Sequence, residues 1–371
     1  MNENCPLVTI IIPVYCGEKY LETLFKNLKE LVYENLEFIF IDDCSKDNSL
    51  KLLEEFSREM PDCRVIANEK NMGVSYSRNE ALKIANGKYL FMLDCDDIFS
   101  KEIVTECVSQ AEKMCSDAVL YNVVDINPDG SLRNDRGLSY DKDIYEKTEI
   151  RKVIAKTFGI SFLELYAYLT GKRGAKEDKG HTGPWRMMYK TSVIRQNHLK
   201  YCENLRIGED TCFTNEYLGF CDKINILRKN LYFLVIHEDS TTGQYIGRYK
   251  ENVDQKVKLY REKLALTKRI SKKRNMDISK VWGGECILSS VQLAVLIAQD
   301  KELSLKEKVR WLKKYQSDPV VQMIWKKLPF RKLMDNFSIK TIPIIMIKLN
   351  LLSLVILSVQ ILNKFGFSIK E

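Results

Sequence analysis

Three aspartates, Asp94, Asp96 and Asp97, stand together directly after an apolar run. That run, Tyr89 to Leu93 (YLFML), is typical of a buried strand, so the carboxylates fall at its carboxyl end. Carboxylates crowded at low effective dielectric repel each other by several kcal/mol unless a cation lies among them, and a divalent metal such as Mg²⁺ or Mn²⁺ is the usual partner. We interpret the cluster as a metal and phosphate site; an acidic turn without chemistry is the alternative.

The preceding sequence alternates between apolar strands and amphipathic helices. Strands are predicted over residues 8–14, 36–41 and 64–67, ahead of the strand at 89–93. Apolar residues at helical spacing predict a helix after each of the first two strands, and Ser75 to Ala85 is the third predicted helix. This β-α-β-α-β-α-β order predicts an α/β fold with an open, mainly parallel sheet flanked by helices.

Polar residues follow the predicted strands and should share one edge of the sheet. Pro13 and Tyr15 lie at the end of the first strand, Asp43 at the end of the second, and Asn71 to Gly73 after the third. Ligands of open α/β sheets bind beyond the carboxyl ends of the strands. No G-x-G-x-x-G follows the first strand and no G-x-x-x-x-G-K-[ST] occurs in the sequence, which argues against a dinucleotide enzyme and a P-loop NTPase.

Four segments in a fixed order cover much of residues 6–240. They are VTIIIPVYCGEKYLETLFKNL, FIFIDDCSKDNS, NEKNMGVSYSRNEALKIANGKYLFMLDCDD and GPWRMMYKTSVIRQNHLKYCENLRIGEDTCF. Together they resemble the family 2 glycosyltransferases, which have the Rossmann-like GT-A fold. The resemblance implies a GT-A catalytic domain over residues 1–240, with a nucleotide-binding half at 6–100 and an acceptor half at 101–240.

The resemblance also implies a UDP-sugar site and assigns residues to the nucleotide. Pro13 and Tyr15 would lie against the base, and Asp43 would accept the hydrogen of uracil N3. Asn71 and Arg78 would lie near the base or the phosphates, where an Arg offers a forked donor. Alternatively, Tyr15 and Trp185 are both core aromatics, and Arg78 only pairs with Asp94 or Glu80.

Further residues are assigned to the sugar and its transfer. By the same resemblance Asp94 approaches the ribose, Asp96 holds a divalent metal (Mn²⁺ or Mg²⁺), and Asp210 is the general base of an inverting reaction. Asp210 could instead be the N-cap of a helix at 211–218. His237 follows an apolar strand and is a candidate further metal ligand; a solvated or packed histidine is the alternative.

Three classes of function remain open at this stage. The first is a glycosyltransferase that moves a hexosyl or N-acetylhexosaminyl group to a glycan or lipid-linked glycan in cell-surface polysaccharide synthesis. The second is a GT-A-like sugar nucleotidyltransferase, whose Gly-rich basic loop is missing at residues 15–20. The third is a catalytically silent module that binds at a membrane surface. Cys44 stands where family members often have Gly, so we expect a turn without a positive φ angle there.

Charge differs between the two parts of the chain. The net charge, counted as Lys and Arg minus Asp and Glu, is about −7 for residues 1–240 and about +15 for residues 241–371. The two values add up to the +8 of the whole chain. We expect a basic helical region with an anionic partner in the second part. Lysine pairs beside Trp311, Trp325 and Phe330 favour an anionic membrane surface, with a solvated helical hairpin as the alternative. Nucleic acid is disfavoured because no recognised binding module is present.

The C-terminal apolar stretch, residues 349–363, is uncharged but shorter than the roughly 20 residues that span a bilayer. Polar residues at helical spacing predict an amphipathic helix that lies in the membrane interface or packs on its own domain. Scattered cysteines without C-x-x-C, and no signal peptide, predict a cytoplasmic chain on the inner face of the membrane. The Gly-rich segment 170–183 predicts a mobile loop that closes over the acceptor or is merely solvated.

Overall fold

The chain divides into two compact units in a computed structural model. The structure describes residues 5–135, 137–138, 140–170, 183–237, 249–328 and 330–364. The first unit is Met1–Thr157 with Gly180–Glu238, and the second is Phe158–Lys179 with Asp239–Glu371. Residues 158–170, which the prediction placed in the acceptor half, therefore group with the C-terminal helices. The predicted loop at 170–183 lies, except at its two ends, outside the described residues.

A ten-stranded mixed sheet forms the centre of the first unit. Its strands are β1 (Val8–Val14), β2 (Leu36–Asp42), β3 (Cys63–Ala67), β4 (Tyr89–Met92), β5 (Ile98–Phe99), β6 (Ala118–Ile126), β7 (Leu132–Asp135), β8 (Ile144–Glu146), β9 (Met187–Lys190) and β10 (Lys223–Val235). Their order is β3-β2-β1-β4-β9-β6-β10-β5, with β7 beside β6 and β8 beside β10. Strands β1 to β4 pair in parallel, and β9 is antiparallel to both β4 and β6.

Helices cover the faces of this sheet. They are α1 (Glu18–Lys29), α2 (Ser49–Glu59), α3 (Val74–Ile84), α4 (Ile103–Met114), α5 (Ile150–Thr157), α7 (Thr191–Asn197) and α8 (Glu209–Phe220). Leu21, Leu24 and Leu28 recur on one face of α1 and are buried against the sheet core. Because both faces of β1 are covered, its residues are nearly all apolar, as expected for a central parallel strand.

The strand order creates a crevice at one edge of the sheet. Strands β2 and β3 follow β1 on one side, whereas β4 lies on its other side. Connections that leave two neighbouring parallel strands in opposite directions open a crevice at the carboxyl ends of those strands. The loops after β1 and β4, which contain Tyr15 and Asp94, therefore border this crevice.

The second unit is helical within its described residues. Its helices are α6 (Phe162–Leu169), α9 (Tyr249–Arg274), α10 (Gly283–Gln299), α11 (Leu305–Gln316), α12 (Pro319–Lys327), α13 (Phe330–Asp335), α14 (Thr341–Lys348) and α15 (Leu352–Lys364). Trp325, expected at a membrane surface, is buried instead, and its indole N–H donates to Ser290 Oγ at 3.3 Å. The C-terminal helix α15 packs on α10 and α11. Throughout the part of the chain that the structure describes, every helix is too short or too polar to cross a bilayer.

Candidate active site

The loop after β1 presents an aromatic ring at the crevice. Tyr15 is 52% exposed, so the interpretation of this residue as a core aromatic is wrong. Pro13, two residues earlier, is partly buried within β1. Trp185, in contrast, is a core residue, because it is buried and its ring stacks on Tyr232 with centroids 5.1 Å apart.

Hydrogen bonds fasten this loop to the loop after β2. Three successive backbone N–H groups at the start of α1 donate to side chains across the gap, Cys16 to Ser45, Gly17 to Ser49 and Glu18 to Asp47, over 2.9–3.1 Å. The expected turn geometry at Cys44 is wrong, since its φ is +62° and that of Cys16 is +50°. Both residues tolerate this left-handed conformation because neighbouring bonds hold the two turns together.

The Asp43 carboxylate organises the loop that contains Asn71. Its Oδ1 accepts from the backbone N–H of Met72 and from Asn68 Nδ2, both at 2.8 Å, and its Oδ2 accepts from the N–H of Gly73 at 2.7 Å. Asn71 itself is exposed. Asp43, which the resemblance assigns to the uracil base, thus also positions the loop that contains Asn71. Each carboxylate oxygen can accept two hydrogen bonds, so these contacts leave acceptor capacity at Oδ2.

Arg78 lies between two carboxylates that are far apart in sequence. Its guanidinium is buried and donates through Nη1 to Asp210 Oδ1 at 2.7 Å and through Nη2 to Asp94 Oδ1 at 2.9 Å. The guanidinium carbon lies 5.3 Å from the ring centre of Tyr201. Glu80 pairs with Lys83, so of the two alternative partners only Asp94 is correct. The fork connects α3, the end of β4 and the start of α8.

Asp210 is an unusually weak acid in this setting. Burial raises the pKa of its carboxyl to about 7; Glu209 and Asp94 act in the same direction, whereas Arg78 opposes them. The N-cap of α8 is Gly208 with a φ of +85°, so the prediction that Asp210 caps the helix is wrong. About 28% of the side chain remains exposed. A carboxylate with a pKa near neutrality and an open side is suited to accept a proton.

Asp96 and His237 lie close together just beyond the end of β4. The distance from Asp96 Oδ2 to His237 Nε2 is 4.0 Å, and Nε2 is buried without a hydrogen-bond partner among the described residues. Burial and the neighbouring Asp94 raise the pKa of the Asp96 carboxyl. Carboxylate and imidazole groups are ligands that Mn²⁺ accepts. Within the described ranges no group of three or more Asp, Glu, His and Cys side chains is arranged to hold a metal.

Asp97 differs from the other two aspartates of the cluster in that both of its carboxylate oxygens are hydrogen-bonded to β10. Its Oδ2 accepts from the Tyr232 hydroxyl at 2.6 Å and its Oδ1 from the N–H of Val235 at 2.8 Å. Burial, with Asp94 and Asp96 nearby, raises the pKa of the Asp97 carboxyl well above its usual value. This side chain fastens β10 to the strand-end loop, so the predicted cluster of three reduces to Asp94 and Asp96 at the site.

Two residues that support the site were not identified from the sequence. Asn79 donates through Nδ2 to the carbonyl of Tyr201 at 3.0 Å, and its Oδ1 accepts from the N–H of Tyr201 at 2.8 Å. Tyr201 in turn stacks on Phe213 of α8, with ring centroids 4.0 Å apart. Asn79 directly follows Arg78, so the sequence indicates that it lies near the site. Its partner Tyr201 is 122 residues away, and the sequence does not indicate that contact.

The sequence of the first unit is similar to that of known proteins. The sequence model of Glycosyl transferase family 2 matches residues 9–195, half of the chain. The chain belongs to glycosyltransferase family 2. EpsJ of Bacillus subtilis, described as an uncharacterized glycosyltransferase, is 26% identical over 263 residues, which are 70% of this chain and 69% of EpsJ.

Two other relatives of this glycosyltransferase are longer proteins. TarS of Staphylococcus aureus, a poly(ribitol-phosphate) beta-N-acetylglucosaminyltransferase, is 24% identical over 61% of this chain and 35% of TarS. Chondroitin synthase of Escherichia coli is 30% identical over 67% of this chain and 34% of that protein. The match thus spans about a third of either relative.

Solved structures show the shared fold. The crystal structure of S. aureus TarS 1–349 in complex with UDP-GlcNAc has a TM-score of 0.63 at 18% identity, and the match covers 98% of this chain and 93% of that one. The structure with UDP has a TM-score of 0.61. The predicted GT-A fold with additional C-terminal helices is therefore confirmed. The glycosyltransferase has a mixed sheet whose parallel half borders the crevice described above.

Proposed function

We propose that this glycosyltransferase moves a hexosyl or N-acetylhexosaminyl group from a UDP-sugar to a hydroxyl of a glycan or lipid-linked glycan, with inversion at the anomeric carbon. The observation that carries the proposal is the fork from Arg78 to Asp94 and Asp210. It joins the strand end assigned to the donor with the carboxylate assigned as base, so both reacting groups would meet at one crevice. The UDP-GlcNAc and UDP complexes of TarS support a uridine nucleotide donor.

In this mechanism Asp210 acts as the general base. Its Oδ1 is bonded to Arg78, and Oδ2 is the atom to which we assign the acceptor proton. As that proton moves, the acceptor oxygen bonds to the anomeric carbon and the bond from this carbon to the diphosphate breaks, with UDP leaving as the anion. Attack from the face opposite UDP inverts the configuration. A base with a pKa of about 7 is partly ionised at neutral pH and is strong enough to take the proton in the transition state.

The nucleotide is assigned to the edge formed by the first two strand-end loops. The exposed ring of Tyr15 and Pro13 of β1 would lie against the base, and Asp43 Oδ2 would accept the hydrogen of uracil N3. Asn71, on the loop that Asp43 holds, would contact the base or the phosphates. Asp94, fixed by Arg78, would approach the ribose.

A divalent metal is part of the proposal, and two residues fit it. Asp96 would supply a carboxylate oxygen and His237 its unpaired Nε2, while donor phosphate oxygens would complete the coordination. When bound, such an ion neutralises the charge that develops on the departing diphosphate. A bound cation would also offset the repulsion between the carboxylates of Asp94 and Asp96, which lie at one strand end.

The biological setting that we propose is cell-surface polysaccharide synthesis at the cytoplasmic face of the membrane. TarS and the Bacillus spizizenii poly(ribitol-phosphate) beta-glucosyltransferase, 25% identical over 62% of this chain, act on poly(ribitol-phosphate) according to their names, and a polymeric acceptor of this kind supports the proposed setting. The basic second unit supports a location at an anionic surface. Membership of family 2 disfavours a sugar nucleotidyltransferase.

The test is UDP release from a panel of UDP-sugars, measured with and without Mn²⁺ in the presence of a glycan acceptor. Asp210→Asn should bind UDP as tightly as wild type and lose transfer, and Asp96→Ala should lose metal stimulation. Asp222→Asn, an exposed aspartate of the same unit, is the matched control and should leave the rate unchanged. Wild-type turnover by Asp210→Asn would remove it as the base. Tight UDP binding with no turnover of any donor would instead support the silent binding module.

A further inference from the structure

Exposed apolar side chains are concentrated in the C-terminal helices of the second unit. Of seventeen large apolar side chains that are exposed in the described part of the chain, ten lie between residues 330 and 361. Single exposed apolar residues are ordinary on a protein surface, but a concentration of them marks an interaction surface.

Helix α15 is apolar on two opposite faces. The face that packs within the unit consists of buried residues, Leu352, Val355, Ile356 and Val359. Leu354, Leu357 and Ile361 recur at i, i+3 and i+7 on the other side and are 48%, 39% and 54% exposed. We call these three residues the apolar stripe. Packing of the unit requires only the first face, so the stripe needs a different explanation.

Basic residues adjoin this helix. Lys348, at the end of α14, donates through Nζ to the carbonyls of Trp325 at 2.8 Å and Leu328 at 2.9 Å. These bonds hold the last turn of α12, which contains the exposed Lys326 and Lys327, beside the end of α14. The chain passes from that point through residues 349–351 into α15, so the basic turn lies next to the entry to the stripe.

The charge of the whole segment is strongly positive. Arg331, Lys332 and Lys340 are exposed as well, and Asp335 is the single acidic residue of the sequence between 326 and 361. An apolar stripe with cations beside it is the arrangement of proteins that lie on an anionic bilayer surface, where apolar groups enter the acyl boundary and lysines remain at the headgroups.

We propose that the apolar stripe and the basic residues Lys326, Lys327 and Arg331 form a docking surface for a membrane leaflet that contains anionic phospholipid. A second copy of the chain fits this surface less well, because a two-fold interface brings the same patch of each copy together and would oppose the same cations. The inference rests on the membrane location proposed above and gives it a defined surface; it does not depend on the transfer reaction.

The experiment is co-sedimentation of the full chain with phosphatidylcholine vesicles, with and without phosphatidylglycerol. Wild type should bind only the anionic vesicles, and added salt should weaken binding. Leu354→Gln/Leu357→Gln/Ile361→Gln should lower the partition coefficient by about tenfold or more. The matched control is Leu163→Gln, a residue of the same unit that is 79% exposed and outside the stripe, and it should bind like wild type.

A second variant tests the charges. Lys326→Gln/Lys327→Gln/Arg331→Gln should lower binding to anionic vesicles on the order of a hundredfold. Lys268→Gln/Lys272→Gln/Lys313→Gln, which removes three other exposed lysines of the unit, should lower it less. Wild-type sedimentation of the stripe variant would overturn the proposal. So would a wild-type dimer in solution that the stripe variant converts to monomer, since a second copy would then cover the stripe.

UDP release in solution is measured on every variant alongside vesicle binding. Unchanged release shows that a variant is folded, so its loss of vesicle binding reports on the surface alone. Vesicle binding by a wild-type protein that releases no UDP would contradict the proposed transfer and leave the docking surface supported.

Discussion

Replacing Arg78 by Met should move the pH dependence of transfer. Arg78 is buried and bonded to both Asp94 and Asp210, so its loss leaves these carboxylates and Glu209 close together without a counter-charge. The pKa of the Asp210 carboxyl, about 7 with Arg78 present, should therefore rise further. Arg64→Met is the matched control, because Arg64 pairs with Glu37 elsewhere in the same unit.

The size of the effect follows from the charge pair. An adjacent Arg lowers a carboxyl pKa by roughly 1–3, which agrees with about 4 kcal/mol for unit charges about 4 Å apart at an effective dielectric of about 20. Since the base must be ionised, the rate of the wild type rises as pH increases through about 7. In Arg78→Met this rise should occur at about pH 8–10, so that the rate at pH 7 falls by about fivefold to about 500-fold.

The assay is kcat/KM for UDP release over a pH series, which reports the base of the free enzyme. Recovery of the variant at high pH is the expected result. A loss of the same size at every pH, with the rise still near 7, would refute the reasoning and leave Arg78 as a phosphate ligand only. Arg78→Lys keeps the charge but not the fork, and should shift the profile less.

Three further predictions concern single contacts. Folding raises the pKa of Asp210 from 3.8 to about 7, so the wild type loses stability as pH rises through this interval. Asp210→Asn should therefore have the higher Tm at pH 8, and the difference in Tm should shrink as pH falls from about 7 to about 4 and stay at its smallest value below that. Asn79→Ala leaves the backbone groups of Tyr201 unpaired and should lower the free energy of unfolding by about 1–3 kcal/mol in urea titrations; unchanged stability would contradict the bridge. His237→Ala should raise the Mn²⁺ concentration for half-maximal activity about tenfold or more, and an unchanged activation curve would remove His237 from the metal site beside Asp96.

The parallel half of the fold could be predicted because its signals are local. The apolar run at β1 and the helical spacing in α1 each require only neighbouring residues; the structure has β1 over the predicted residues 8–14 and a helix directly after it. The second half was harder, since β9 is only four residues long and enters the sheet antiparallel between β4 and β6. Residues 158–170 were misplaced because a helix pattern does not indicate which unit buries its apolar face.

The prediction of the turn conformation at Cys44 was wrong for a related reason. Its positive φ is compatible with a non-glycine residue because the turn is held by Ser45, which donates its N–H to Asp42 at 3.0 Å and accepts from Cys16 at 2.9 Å. A residue type alone predicts the intrinsic cost of a conformation. One of the bonds that compensate for that cost, from Cys16, comes from another loop and cannot be recognised in the local sequence.

The chemistry of Asp210 depends most on contacts that sequence motifs do not contain. Arg78 and Asp210 are 132 residues apart, and the burial that raises the pKa of this carboxyl arises where α3, β4 and α8 meet. The segment at Tyr201, held by Asn79, connects α3 to the start of α8. A relative with every motif intact but with a different residue at 79 or 201 would therefore keep its acidic residues and lose the proton affinity that the proposed base requires.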